Sequence, residues 1–227
     1  MGGMAHDQKE VLRLVALGHN VFFTGSAGSD AKVQYMLGTG KSFVLKALLR
    51  CLPTDTTHAT SSTGITAVHL NGRTTVYHWA GVGAGKDSVQ TMAGKIVRNR
   101  GLMCCQHWLD ALTRWNRTRV LVIDEISMLD GLFFDKVQSL VQFLLVIQNS
   151  APFGGIQLIV CGDFFQLPPV AASEADRTFC FETNAWRTCI KHTIEMQTVF
   201  RQSDSTFVDI LNELRRGVCT PESERLL

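Results

Sequence analysis

Residues 20–52 read NVFFTGSAGSDAKVQYMLGTGKSFVLKALLRCL, and the fold turns on how this stretch is parsed. Asn20 to Gly25 is a short β-branched and aromatic run ending in glycine, the pattern of a buried strand. Lys41 to Leu52 carries apolar side chains at helical spacing. Between them lie Gly25-Ser26-Ala27-Gly28 and Gly38-Thr39-Gly40-Lys41-Ser42. A strand, a glycine-rich turn and a helix opening on Lys-Ser make an anion cradle, because helix-terminal N–H groups and one ammonium surround a phosphate. The pattern is interrupted: G-x-x-x-x-G-K-[ST] needs glycine five places before Gly40, and Tyr35 stands there. Excising Ser29 to Gly38 joins the halves into GSAGTGKS, a complete P-loop, so the sequence reads as a P-loop split by the ten residues SDAKVQYMLG. Ten codons keep the reading frame, and an unspliced in-frame intron is preferred to a genuine insertion. A genuine insertion costs on the order of 2 kcal/mol of closure entropy. It must also hold Gly28 and Thr39 roughly one peptide step apart without a bond between them.

Outward from this unit the chain alternates. HDQKEVLRLVAL (6–17) is a predicted helix stopped at Gly18, THATSS (57–62) a strand and TGITAVHL (63–70) a helix. RVLVIDE (119–125) and IQLIVCGD (156–163) are apolar runs closing on acidic residues, with the helical pattern GLFFDKVQSLVQFLLVI (131–147) between them. This order predicts an α/β fold, a parallel sheet flanked by helices. GVGAGKDS (81–88) reads as a flexible connection and STFVDILNELRRG (205–217) as an amphipathic helix. Val137 to Asp176 contains no Lys or Arg, and SLVQFLLVIQ (139–148) is more apolar than an exposed helix should be. The expectation is that it packs against a further domain or marks an exon edge.

The 227 residues, 45% hydrophobic and 19% charged, fit one large or two small globular domains and exclude collagen-like or disordered chains. With 22 basic and 20 acidic residues the net charge of +2 names no ligand. Seven cysteines, odd in number and without a C-x-x-C pair, argue for a reduced compartment and against a zinc knuckle. MGGMAHDQKE lacks an apolar signal region, and LVQFLLVI (140–147) is far short of the roughly 20 residues that span a bilayer, so a soluble, intracellular protein is expected.

Asp124 and Glu125 end a buried strand, where nucleotide-hydrolysing enzymes hold Mg²⁺ through the first carboxylate and polarise water with the second. Gln166 follows another central strand, with Pro168 and Pro169 stiffening the exit, which sets a neutral amide at the sheet edge where α/β folds bind ligands.

GSAG with TGKS, SSTGITA (61–67), IDEISM (123–128), PFGGIQLIVCGDFFQLPPV (152–170) and VFRQ (199–202) together resemble, in order and over nearly the whole chain, the PIF-one family of superfamily 1 DNA helicases. The resemblance implies a RecA-like P-loop NTPase lobe using ATP and Mg²⁺. It also implies five-prime to three-prime translocation on single-stranded DNA, unwinding at duplex junctions, and roles in repair, recombination and telomere maintenance. By the same resemblance Gln8 reads adenine, Gly25, Gly28, Thr39, Gly40 and Lys41 cradle phosphate, and Ser42 and Asp124 ligate magnesium. Glu125 activates water, Gln166 senses the γ-phosphate, and Arg201 approaches it from the lobe boundary. Ser62, Thr63, Gly64 and His78 match DNA-contacting segments. Tyr77 and His78 offer stacking surfaces for bases, Trp79 is expected in the core, and KIVRNRG (95–101) and WNRTR (115–119) are expected to be solvated faces rather than a groove.

The family's motor has two lobes. This chain corresponds to the first, at residues 1–217, with 218–227 leading toward the second, and unwinding by the chain alone is not expected. Two other readings stay open: a helicase remnant that binds DNA without turning over ATP, and a stand-alone ATPase indifferent to DNA. Nucleus or mitochondrion is undecided, as is oligomeric state.

Overall fold

A computed structural model describes residues 4–25, 40–68, 74–98, 106–144, 151–171, 173–197, 210, 213, 217 and 220–226, and every structural statement below refers to these. The interruption at Ser29 to Gly38, the helix expected at 205–217 except for isolated positions, and the sites Gly28, Thr39 and Arg201 lie outside them. The elements in chain order are α1 (His6–Ala16), β1 (Val21–Gly25), α2 (Lys41–Cys51), β2 (Thr57–Ser61), α3 (Gly64–Val68), β3 (Thr74–Thr75), α4 (Val76–Ala80) and α5 (Val89–Arg98). There follow α6 (Gln106–Arg117), β4 (Val120–Asp124), α7 (Gly131–Leu144), β5 (Gln157–Cys161), α8 (Asn184–Cys189), β6 (His192–Met196) and α9 (Pro221–Leu226).

Six strands pair in the order β3-β2-β4-β5-β1-β6, and every pairing is parallel. A parallel sheet is buried on both faces, which is why VFF, VLVI and LIVC are continuous apolar runs. Alternate side chains feed two cores. Val21, Phe23, Val122, Ile159 and Cys161 pack with Val11, Leu14, Val44 and Leu48 of α1 and α2. Phe22, Leu121, Ile123, Leu158 and Val160 point the other way, into a larger core with α4 to α8. In that core Trp79 and Trp115 meet with ring centroids 4.4 Å apart, and Trp115 Nε1 donates to the Ala80 carbonyl at 3.0 Å.

The apolar run in α7 needs no further domain. Leu140, Val141 and Leu144, with Val137 before them, are buried inside this chain, which corrects the further-domain expectation for the described part of 139–148, although Phe143 is exposed. Trp115 is core and Arg119 immediately precedes β4, so WNRTR lies at the amino-terminal edge of the sheet, opposite the carboxyl edges of the strands. Lys95 pairs with Asp87 at 2.6 Å on an exposed surface. The segment 81–88 is anchored, since Lys136 Nζ donates to the Gly85 carbonyl at 3.1 Å.

Gly131 opens α7 against the backbone before α8: a Cβ there would stand 2.6 Å from the Phe179 carbonyl oxygen and 2.9 Å from Thr183 Cγ2. Alanine normally gains about 1 kcal/mol over glycine in a helix. Here the contact is with backbone, and Gly131→Ala is expected to destabilise by about 1–3 kcal/mol. A urea midpoint equal to or above wild type would refute this.

Candidate functional site

Register brings the informative residues to one edge. Ser61 pairs with Asp124, Ile123 with Val160, and Phe23 with Cys161, so β2, β4 and β5 end level and β1 runs two residues further, to Gly25. β1 lies between β5 and β6, so its carboxyl end at Gly25 stands beside the ends of β5 and β6.

Gly40 caps α2 with φ 82° and ψ 24°, a left-handed conformation that glycine adopts without the steric cost of a Cβ. No acidic residue occupies the first turn of α2, leaving the positive helix end uncompensated. Lys41 Nζ donates to the Gly25 carbonyl at 2.7 Å, tying the start of α2 to the end of β1 across the interrupted segment. Ser42 is exposed on the same turn.

Asp124 and Glu125 leave β4 half-buried. Asp124 Oδ1 accepts the Glu125 N–H at 3.0 Å and the Cys161 thiol at 2.9 Å. Burial and the Asp124 charge push the fully buried Cys161 thiol well above its ordinary range, so it stays protonated and donates. Glu125 adopts φ 53° and ψ 47°, the left-handed region that a non-glycine residue enters at a cost of about 1–2 kcal/mol. Burial first, then Asp124, and then Asp163 raise the Glu125 carboxyl above its usual range, while Lys41 pulls it back. A Cβ on Gly162 would stand 2.9 Å from the Ile126 nitrogen, so glycine there lets the exit of β5 pack against the turn that holds Glu125.

Gln166 is half-buried and organised by Asp163, a residue the sequence reading did not single out. Asp163 is 1% exposed. It accepts the Phe165 N–H at 3.1 Å through Oδ1 and Gln166 Nε2 at 3.3 Å through Oδ2. The ring of Phe164 packs into Phe22, Trp186 and Phe181, which fixes the base of the loop. Phe165, Leu167 and Val170 are exposed on it.

Gln8 reaches the same edge. Asp7 accepts the Gln197 N–H at 2.9 Å, docking the amino end of α1 beside the carboxyl end of β6. Gln8 is buried, and its Oε1 accepts the Ala5 N–H at 3.2 Å, so in this structure it caps α1.

Ser62, Thr63 and Gly64 follow β2, and His78 lies in α4 directly after β3, again on this edge. His78 and Gly64 are exposed. Ser62 is the inner member: its N–H bonds the Asp124 carbonyl at 3.2 Å, and its hydroxyl is buried without a partner. Trp79 is core, as expected. Tyr77 is not a stacking surface for bases: its ring stacks on Phe133 at 4.1 Å, and burial, Asp130 and Cys180 push its hydroxyl up to about 12.

The raised Glu125 carboxyl has a stability consequence. In the folded chain it holds its proton to a higher pH than in the unfolded chain, so ionisation costs stability as pH rises through the folded value. Glu125→Gln is therefore expected to stabilise the fold by about 1 kcal/mol at neutral pH. The gain should vanish at pH below the ordinary carboxylate range, where both forms are neutral. Equal melting temperatures of variant and wild type at pH 7.5 would sink this expectation.

The donor set suits a phosphate with a hard cation. Lys41 and the start of α2 offer positive charge, and Ser42 and Asp124 offer oxygen, the ligand type magnesium takes alongside substrate phosphates. Such a constellation on an all-parallel sheet flanked by helices is that of a RecA-like P-loop NTPase.

Comparison with known proteins narrows the class. Residues 3–225 match the family model for PIF1-like helicase, and the chain belongs to that family. It is 42% identical over 224 residues to the ATP-dependent DNA helicase PIF1 of Xenopus laevis, covering 99% of this chain and 32% of the relative. It is 40% identical to the ATP-dependent DNA helicase RRM3 of Saccharomyces cerevisiae, covering 94% of this chain and 28% of the relative. The chain thus spans about a third of the length of these curated relatives. The crystal structure of Pif1 helicase from Candida albicans superposes with a TM-score of 0.83 at 38% identity, covering 99% of this chain and 47% of that one. Pif1 helicase from Bacteroides in complex with ADP-AlF3 and ssDNA gives 0.71 at 25% identity, covering 96% and 48%.

Proposed function

We propose that this chain is the nucleotide-binding lobe, at residues 1–217, of an ATP-dependent DNA helicase that couples ATP hydrolysis to movement along single-stranded DNA and to unwinding at duplex junctions. The observation that carries the reading is the convergence of Lys41 with the Asp124–Glu125 pair at the carboxyl edge of one sheet. Lys41 would hold the terminal phosphates. Ser42 and Asp124 would hold magnesium, which supplies neutralisation of phosphate charge when bound. Glu125, its carboxyl raised above the usual range by burial and its acidic neighbours and so made a stronger base, orients the attacking water and takes its proton. Gln166, fixed by Asp163, hydrogen-bonds near the terminal phosphate, with Arg201 completing the charge. Thr63, Gly64 and His78, exposed or half-exposed along the neighbouring strand ends, would hold DNA phosphates.

The class of partner is supported by the Bacteroides relative solved with ADP-AlF3 and ssDNA. Acting on DNA, the protein would work inside the cell, in the nucleus or the mitochondrion. Among the described residues no helix is long and apolar enough to cross a membrane.

The test is a melting curve with and without Mg-ATPγS, followed by binding of a thymidine oligonucleotide. A nucleotide at 100 times its dissociation constant should stabilise by about 2.7 kcal/mol. DNA binding without nucleotide stabilisation would favour the non-catalytic remnant. Nucleotide stabilisation without DNA binding would favour an ATPase of another kind.

A further inference from the structure

Between the strand end proposed to meet DNA and the carboxylate pair runs a row of three hydroxyls. Thr66 Oγ1 lies 2.7 Å from Thr63 Oγ1 and 3.1 Å from the Thr63 carbonyl, and makes a short hydrogen bond with Ser61 Oγ. Ser61 Oγ in turn reaches the Asp124 carbonyl at 3.2 Å. That carbonyl belongs to the peptide joining Asp124 to Glu125, whose left-handed backbone is held by its surroundings.

Each hydroxyl brings one proton, so the row can be counted. With nothing outside, Thr63 donates to Thr66, Thr66 shares its proton between Ser61 and the Thr63 carbonyl, and Ser61 donates to the Asp124 carbonyl. An external acceptor at Thr63 changes the count. If Thr63 gives its proton to a backbone phosphate of DNA, the 2.7 Å contact with Thr66 must be filled by the Thr66 proton. The Ser61–Thr66 contact then takes the Ser61 proton, and the Asp124 carbonyl loses that donor. Hydrogen bonds in such a row polarise one another, which favours reversing the row as a unit. The Asp124 carbonyl keeps the Ser62 N–H at 3.2 Å, so the peptide is loosened on one side rather than freed.

We infer that Thr66 is a positioning residue which transmits occupation of Thr63 by a nucleic-acid phosphate to the Asp124–Glu125 peptide, and hence to the nucleotide site. The inference rests on the proposed DNA and nucleotide sites and adds the link between them. Thr66 touches neither ligand. Two sites joined by one element with two arrangements show a reciprocal coupling of affinities.

The measurement is the affinity for Mg-ATPγS with and without a saturating 20-mer of thymidine. Wild type should show a change of about tenfold, a typical size for such coupling. Thr66→Val, which keeps the shape and removes the hydroxyl, should reduce that factor to below about twofold while each ligand alone binds as in wild type. Thr66→Ser, which keeps the hydroxyl, should restore it. Ser61→Ala cuts the same row one link further in and reads the same coupling should Thr66→Val fail to fold. Full coupling in Thr66→Val, or in Ser61→Ala, overturns the inference. So does a wild-type chain that binds both ligands without coupling, which leaves the proposed function standing. A wild-type chain that binds neither ligand overturns the proposed function itself.

Discussion

On the proposed function, replacing Lys41 by alanine in the full-length protein is expected to lower DNA-stimulated ATP hydrolysis by about 10³-fold, the scale seen when one preorganised donor is removed from a developing negative charge. The same variant of this chain should lose the stabilisation by Mg-ATPγS. In the structure the ammonium sits 2.7 Å from the Gly25 carbonyl and opposes the upward push on the Glu125 carboxyl. Its removal therefore strikes twice: the phosphates lose their cation, and Glu125 is driven further toward its neutral form. Lys41→Arg should not rescue, since a planar guanidinium does not fit a point-charge position. Turnover within threefold of wild type in Lys41→Ala would end the site assignment.

Trp115→Ala carries the largest expected loss of stability, about 3–5 kcal/mol. Its ring is fully buried against Trp79, and its Nε1 proton satisfies the Ala80 carbonyl at 3.0 Å, so truncation leaves both a cavity and an unpaired acceptor. Urea unfolding followed by circular dichroism reads this directly. Arg117→Ala, exposed two residues away, should stay within about 0.5 kcal/mol and serves as the control. A loss below 1 kcal/mol for Trp115→Ala would mean that the larger core is not packed as described.

Much of this was legible in the sequence. β1, α2, β4 and β5 announce themselves by apolar runs and helical spacing, and Asp124, Glu125 and Gln166 stand where strands meet polar residues. β6 escaped because HTIEM is short and alternates in exposure, and its partner is β1, far away in sequence. β3 is two residues long, below any periodicity. Cys161 and Asp163 looked like the tail of an apolar run. Their roles follow from the register that sets Ile123 beside Val160, and a single strand's pattern does not contain its neighbour's register. The row through Thr66 is of the same kind: its members are close in sequence, but its terminus at Asp124 is supplied by strand pairing. The apolar stretch of α7 was misjudged because an exposed position was assumed for a helix that the chain buries itself.

The place of β1 between β5 and β6 also has a meaning in time. Asn20 Oδ1 accepts the Leu158 N–H at 2.8 Å across a separation of 138 residues, and β1 has no strand neighbour that precedes β5 in the chain. At about 5–20 residues per second, a ribosome takes roughly 7–28 s to make the partner that β1 waits for. Through that interval VFF is an apolar strand without its sheet partners. The proposed nucleotide site would thus be assembled late in synthesis, and the strand that begins it depends on chaperones or on speed to reach its partner.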